Sequence, residues 1–325
     1  MWLTRLATIG VALAFVVVVL GAYTRLVDAG LGCPDWPGCY GFLTVPDAEH
    51  ELAAAEERFP HAPVEAHKAW PEMVHRYFAT SLGALILVIA IVALRDRSGE
   101  LPRKLPAGLL ALVILQGAFG AWTVTLKLWP QVVTLHLLGG MTTLALLWLL
   151  VLRLRRTAAG LERLRGHAWL ALAAVVIQIA LGGWTTSNYA ALACPDFPTC
   201  QNVWWPQMDF ARAFDLGQEV GPNYLGGLLH ADARIAIHMA HRLGAITVLL
   251  IVGALAWRLW QHGEARRLAV AVGGILLAQL ALGIANVHFS LPLAVATAHN
   301  AGGALLLLAV VTVNYRSRSA SGTRR

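Results

Sequence analysis

Glu72-Met73-Val74-His75-Arg76 and His238-Met239-Ala240-His241-Arg242 are one pattern written twice, each where a polar loop runs into a long apolar stretch. Both put two polar side chains three residues apart, which on a helix is about 4.5 Å of rise and about 60° of rotation. The pair therefore shares one face and can act on a single object, with the arginine one step round. An ionisable side chain at the edge of hydrocarbon is costly, so a chain that repeats a His-Arg pair at the same point of two helices has a reason to tolerate the cost. The plainest reason is that both residues mark a membrane interface, the arginine extending its head group to water and the histidine sitting half-wet. The other is a shared ligand.

With 325 residues, 58% hydrophobic and 13% charged, and a mean hydropathy of +0.62, the chain has too little polar surface for a soluble protein. Eight apolar runs are long enough to span a bilayer, at roughly 6–23, 73–94, 105–126, 131–152, 168–186, 234–257, 268–287 and 292–314. Backbone polar groups in lipid must be satisfied internally, so all eight are expected to be helices of an all-α integral membrane protein.

The loops set the orientation. Arg5, the linker from Arg95 to Lys104, the linker from Arg153 to Arg165, the segment from Arg258 to Arg267 and the tail from Arg316 hold 17 of the 25 Lys and Arg residues. Those segments are expected to face the cytoplasm of a cell membrane, with both termini inside. The outer side then carries the other 8 bases, 14 of the 18 acids and both long connections, about 24–72 and 187–233. The net charge of +7 is thus a sign of sidedness, and nucleic acid is not an expected partner.

Residues 2–22, basic and then apolar, have the look of a cleaved signal peptide. An internal repeat argues otherwise. Gly21-Ala22-Tyr23-Thr24 and Cys33-Pro34-Asp35-Trp36-Pro37-Gly38-Cys39 align without a gap, 161 positions on, with Gly182-Gly183-Trp184-Thr185 and Cys194-Pro195-Asp196-Phe197-Pro198-Thr199-Cys200. His75-Arg76 matches His241-Arg242 at an offset of 166, while Gln116-x-x-x-Gly120 matches Gln279-x-x-x-Gly283, and His136 matches His299, at 163. Nearly constant offsets with loops absorbing the difference mark a duplicated four-helix unit. The expected architecture is two tandem four-helix bundles, 1–157 and 158–325, related by a pseudo-two-fold axis along the membrane normal. The first span then matches the fifth and is a retained helix. Gln178-x-x-x-Gly182 repeats the Gln-x-x-x-Gly pattern again, and small residues at that spacing are expected to pack helices closely.

All four cysteines fall in the outer loops, where prolines force turns between Cys33 and Cys39 and between Cys194 and Cys200. On an oxidising side two local disulfides are the natural reading, stapling the loops or cycling in redox chemistry. A metal site is the weaker alternative, because the spacing is wider than a zinc knuckle and no histidine recurs near both pairs. The run from Asp47 to Phe59 reads as a short acidic helix with an Asp cap outside the membrane.

His136 and His299 lie a few residues into the fourth and eighth spans, after turns with Pro130 and Pro292, and His75 and His241 start the second and sixth spans from the same side. Each half thus offers two imidazoles at similar depth. Facing one another across a four-helix bundle, they make an axial pair for a haem iron. His50, His61, His67, His230 and His288 read as outer-loop residues, and His167 and His262 sit beside inner basic clusters. All seven are read as solvated.

The eight spans in two halves, the Cys-Pro-Asp-Trp-Pro-Gly-Cys loop, Glu72-x-x-His75-Arg76 and the later His136, His241 and His299 together resemble the haem A synthase family over essentially the whole chain. That resemblance implies a haem-dependent membrane oxidoreductase that converts a methyl group of haem O to the formyl group of haem A through successive hydroxylations. It implies a resident haem b between His241 and His299, and the substrate haem O between His75 and His136. As partners it implies the haem O synthase that makes the substrate and the assembly factors of cytochrome oxidase. An electron donor or acceptor is needed besides, and a homo-oligomer is left open.

The residues add a division of labour, because Glu72 stands in one half where His238 stands in the other. A carboxylate beside a haem edge can accept a proton or stabilise positive charge, so Glu72 is the expected catalytic acid or base. Arg76 and Arg242 can pair with haem propionates or reach lipid head groups. Two histidines on one iron leave no open site for O2, so either one ligand lets go or oxidising equivalents arrive by another route. Two rivals share most of these features: a di-haem b electron-transfer cytochrome linked to quinone, and a haem transporter or chaperone.

Overall fold

The computed structural model describes residues 2–96 and 101–318. Arg97, Arg324 and Arg325, among the bases expected on the inner side, lie outside the described residues. Eight long helices carry the chain: α1 (Trp2–Leu26), α3 (Ala66–Arg95), α4 (Lys104–Thr125), α5 (Pro130–Leu154), α6 (Arg165–Ser187), α8 (Ala231–Gln261), α9 (Arg266–His288) and α10 (Leu293–Arg316). Each is long and apolar enough to cross a membrane. Two short helices, α2 (Glu49–Arg58) and α7 (Phe210–Ala213), lie in the long connections. Among the described residues there is no strand, only the isolated bridges Cys39–Phe42 and Cys200–Val203.

Neighbours in sequence close on one another in space. Helix α1 packs on α3 and α5, with α4 touching both α3 and α5. Helix α6 packs on α8 and α10, with α9 touching both α8 and α10. The two rings of four meet along α1, α5, α6 and α10. The expected division after residue 157 falls in the connection between α5 and α6. Ile86, Ile89, Leu144 and Leu147 fill the first ring and Val252, Leu255, Leu259 and Val310 the second. Outward positions such as Ile114, Ile177 and Leu250 are 60% or more exposed and apolar, as helix faces toward lipid tails must be.

Most of the long helices start earlier than their apolar runs, and in two of them this changes where a histidine stands. Helix α3 begins at Ala66, not 73, and α8 at Ala231, not 234, so His75 and His241 stand inside their helices and do not start them. The reason is packing outside the hydrocarbon: Ala69 and Met73 are buried against Cys33, Cys39, Tyr40 and Val45 of the first disulfide loop. His67 is therefore helical, although exposed, and so is His50 in α2. The acidic helix is present as α2, but its Asp cap is not. Ala48 occupies the cap position, and the Glu51 carboxylate reaches back to accept the Asp47 and Ala48 N–H groups at 3.2 and 3.5 Å. A carboxylate one turn in can satisfy the first amides without a capping side chain.

Polar ties hold the rings together. Trp148 of α5 donates to Thr312 of α10 at 2.8 Å, and the hydroxyls of Thr134 and Ser187 lie 3.1 Å apart. Arg25, at the end of α1, donates to the Tyr189 hydroxyl at 2.7 Å and the Thr186 carbonyl at 3.0 Å, with its guanidinium 4.0 Å from the Tyr189 ring. Hydrogen bonds to a charged group are the stronger kind. Arg25→Met is expected to lower stability by about 1–3 kcal/mol, read as a lower thermal midpoint in detergent.

Candidate functional site

Each disulfide loop is built by the same hydrogen bonds. Cys33 and Cys39 are joined with Cα atoms 4.8 Å apart, and Cys194 and Cys200 at 4.6 Å. Inside the first loop the Asp35 carboxylate accepts from the Tyr40 and Gly41 N–H groups at 2.6 and 2.8 Å. In the second, Asp196 accepts from Gln201 and Asn202 at 2.6 and 3.0 Å and from the Thr199 hydroxyl. That hydroxyl and those amides hold the Asp196 carboxyl below the usual carboxylate range.

The arginine after each histidine fastens its loop to the helix. Arg76 donates to the carbonyls of Asp35 at 3.0 Å, Pro37 at 3.3 Å and Gly38. Arg242 donates to Asp196 at 2.7 Å, Thr199 at 2.8 Å and Cys194 at 3.3 Å. Neither head group is spread toward solvent, and each is engaged with main-chain oxygens that a lysine could not bridge in the same planar fan.

Beneath each loop lies the residue that differs between halves. Glu72 is buried, pairs with Arg76 through Oε1, and accepts the Cys33 N–H at Oε2 at 3.0 Å. His238 is equally buried, with Nδ1 3.4 Å from the Cys194 nitrogen. The same socket is lined by the same loop, and only the acid carries negative charge.

Four imidazoles are seated alike. A Cβ built on Gly21 would lie 3.0 Å from His75 Cε1, on Gly120 3.7 Å from His136 Cε1, on Gly182 3.3 Å from His241 Cε1, and on Gly283 3.4 Å from His299 Cε1. In every case the ring faces a glycine of the neighbouring helix; at Gly21 and Gly182 an added Cβ would crowd it, while at Gly120 and Gly283 it would make ordinary contact. His75 of α3 and His136 of α5 stand in the first ring of helices, and His241 of α8 and His299 of α10 in the second. Nδ1 of His75, His136 and His299 is buried without a hydrogen-bond partner. Buried polar atoms are rarely left so, and rings lodged in apolar helices on tailored glycine seats suit ligation of a prosthetic group such as haem. Of the other histidines, His50, His61, His67, His230 and His288 are exposed, and His167 and His262 are half-buried.

The glutamines at Gln-x-x-x-Gly do more than pack helices. A side chain on Gly139, Gly244 or Gly302 would overlap the amide of Gln116, Gln178 or Gln279, respectively. Each of those glycines lies three residues after His136, His241 or His299. At His241 the contact is direct, with Gln178 Nε2 3.1 Å from Nδ1 and 3.0 Å from the main-chain oxygen. The repeated His-x-x-Gly was the signal for this in the sequence.

The profile of the COX15-CtaA family, described as cytochrome oxidase assembly protein, matches residues 4–311. The chain belongs to this family. It is 47% identical over 320 residues to the protein named heme A synthase of Shewanella oneidensis, covering 97% of this chain and 96% of that one. The heme A synthases of Caulobacter vibrioides and Rhizorhabdus wittichii are each 30% identical, covering 94% and 97% of this chain and 93% and 92% of theirs.

The Glu72–Arg76 pair is largely sequestered, so removing one partner strands the other. Glu72→Ala is expected to cost about 3 kcal/mol in thermal unfolding, while Glu72→Gln, which still accepts from Cys33, loses less.

Proposed function

We propose that this chain is a haem A synthase that oxidises a methyl group of haem O to the formyl group of haem A. The observation that carries the reading is the buried acid Glu72 under the first cysteine loop, where the second has His238, within a family whose relatives are named heme A synthase. Residues 1–157 form the substrate half, with His75 and His136 to hold haem O. Residues 158–325 form the resident half, with His241 and His299 to hold haem b. A haem held by His241 and His299 would supply one-electron redox chemistry.

The chain's own groups do the rest. Glu72 presents a carboxylate fixed from both sides, by Arg76 and by the Cys33 amide, so its free lone pairs are oriented before the substrate arrives. In that position it can accept the proton released as the methyl carbon is oxidised and stabilise positive charge beside it, the electrons leaving to an acceptor outside this chain. Arg76 and Arg242 supply positive charge at the outer rim, where the propionates of a bound macrocycle lie, while keeping the disulfide loops closed. The Lys and Arg distribution supports cytoplasmic termini and outward-facing cysteine loops. Haem O synthase and oxidase assembly factors are the partners such a reaction requires.

A di-haem electron carrier would have no use for the acid, which is why pigment analysis separates the two. Extraction of the purified protein is expected to yield haem b together with haem O or A, whereas haem b alone would favour the carrier. Glu72→Ala is expected to retain bound haem and to abolish formation of haem A from haem O. Retained conversion in that variant would remove Glu72 from the mechanism. His241→Ala or His299→Ala is expected to strip the resident haem, seen as loss of its absorbance.

A further inference from the structure

The four seats are alike in their glycines and unlike in their glutamines. His136 is followed by Gly139 under the Gln116 amide, His241 by Gly244 under Gln178, and His299 by Gly302 under Gln279. Each glutamine stands four residues before the glycine that seats the ring, so one helix offers an amide and a notch to the histidine helix in a fixed register. His75 departs on both counts. Four residues before its seat, Gly21, stands Val17, and three residues after it stands Phe78.

The difference has chemical content. A half-buried amide can accept from, or donate to, the ring nitrogen that faces away from a ligated metal, and such outer partners fix ring orientation. Gln178 already touches His241 Nδ1, and Gln178 Oε1 and Gln279 Nε2 are buried with hydrogen-bonding capacity unspent. Val17 has no polar side chain to offer His75, whose Nδ1, like those of His136 and His299, is buried without a hydrogen-bond partner. The helix under His75 is also less firmly bonded. Pro71 lies one turn before His75 where Ile237 lies before His241, and proline removes an amide donor from the helix ladder.

We propose that Gln116, Gln178 and Gln279 are positioning residues for His136, His241 and His299, and that His75, without one, is the imidazole that yields its coordination position during turnover. The proposal rests on the functional reading above and deepens it. A half that exchanges substrate for product needs one ligand that releases, and a half that keeps its haem needs two that do not. The yielding ring also lies one helical turn from Glu72, so the position it vacates opens on the side of the acid.

The test uses the full chain in detergent, loaded with haem b, reduced with dithionite and titrated with carbon monoxide. The wild type is expected to bind carbon monoxide at the N-terminal haem only. Val17→Gln is expected to weaken that binding about tenfold, and His75→Gly in the Val17→Gln background to restore it. In the reciprocal direction, Gln178→Val is expected to open the second haem to carbon monoxide and to give the ferric protein a high-spin fraction. Because the two substitutions sit in different halves, misfolding of one leaves the other to decide. A chain that takes up no haem removes the functional reading and this proposal with it. Haem bound normally, with carbon monoxide uptake indifferent to both substitutions, removes this proposal alone.

Discussion

An imidazole inside a membrane helix has to be given room, and the helix packing at the cysteine-loop end of this protein follows from that requirement. The ring is too wide for ordinary helix packing, and its second nitrogen is costly to bury unpaired. Glycine on the facing helix solves the steric half of the problem at Gly21, Gly120, Gly182 and Gly283. The polar half is met by the Gln178 amide at His241, while Nδ1 of His75, His136 and His299 stays buried without a hydrogen-bond partner. Helix pairing in each ring is therefore set by which helix brings a notch and which brings a histidine: α1 with α3, α4 with α5, α6 with α8, and α9 with α10.

A second constraint works at the surface. The long connections that carry the cysteines have irregular backbone, whose carbonyls need partners wherever they are shielded from water. Arg76 and Arg242 meet this by gathering the loop carbonyls of each cysteine turn. One side chain thus joins the disulfide loop, the histidine helix and, in the first half, the carboxylate of Glu72. The loop amide of Cys33 completes the arrangement, so the acid is held by the staple above it. A loop that seems only to cover the bundle is part of the wall of its polar socket.

Duplication makes the deviations readable. Where both copies agree, as in the Asp35 and Asp196 turns, the shared feature is scaffold. Among the places where they part, Glu72 against His238, Val17 against Gln178 and Pro71 against Ile237 lie around one imidazole, His75.

The order of the chain alone was enough for eight spans, for the repeat, for the four histidines and for the cysteine turns, since apolar length and recurring spacing are local properties. It also showed that the glutamines recur, but not what they meet. Which amide lies on which glycine depends on the neighbours each helix acquires, and neighbours are a property of the folded bundle. The same holds for Arg76 and Arg242, whose main-chain acceptors lie about forty residues away in sequence, and for the early start of α3, where burial against the first loop extends the helix beyond its apolar run. Spacing can place two groups on one face of a helix; only packing chooses what that face is pressed against.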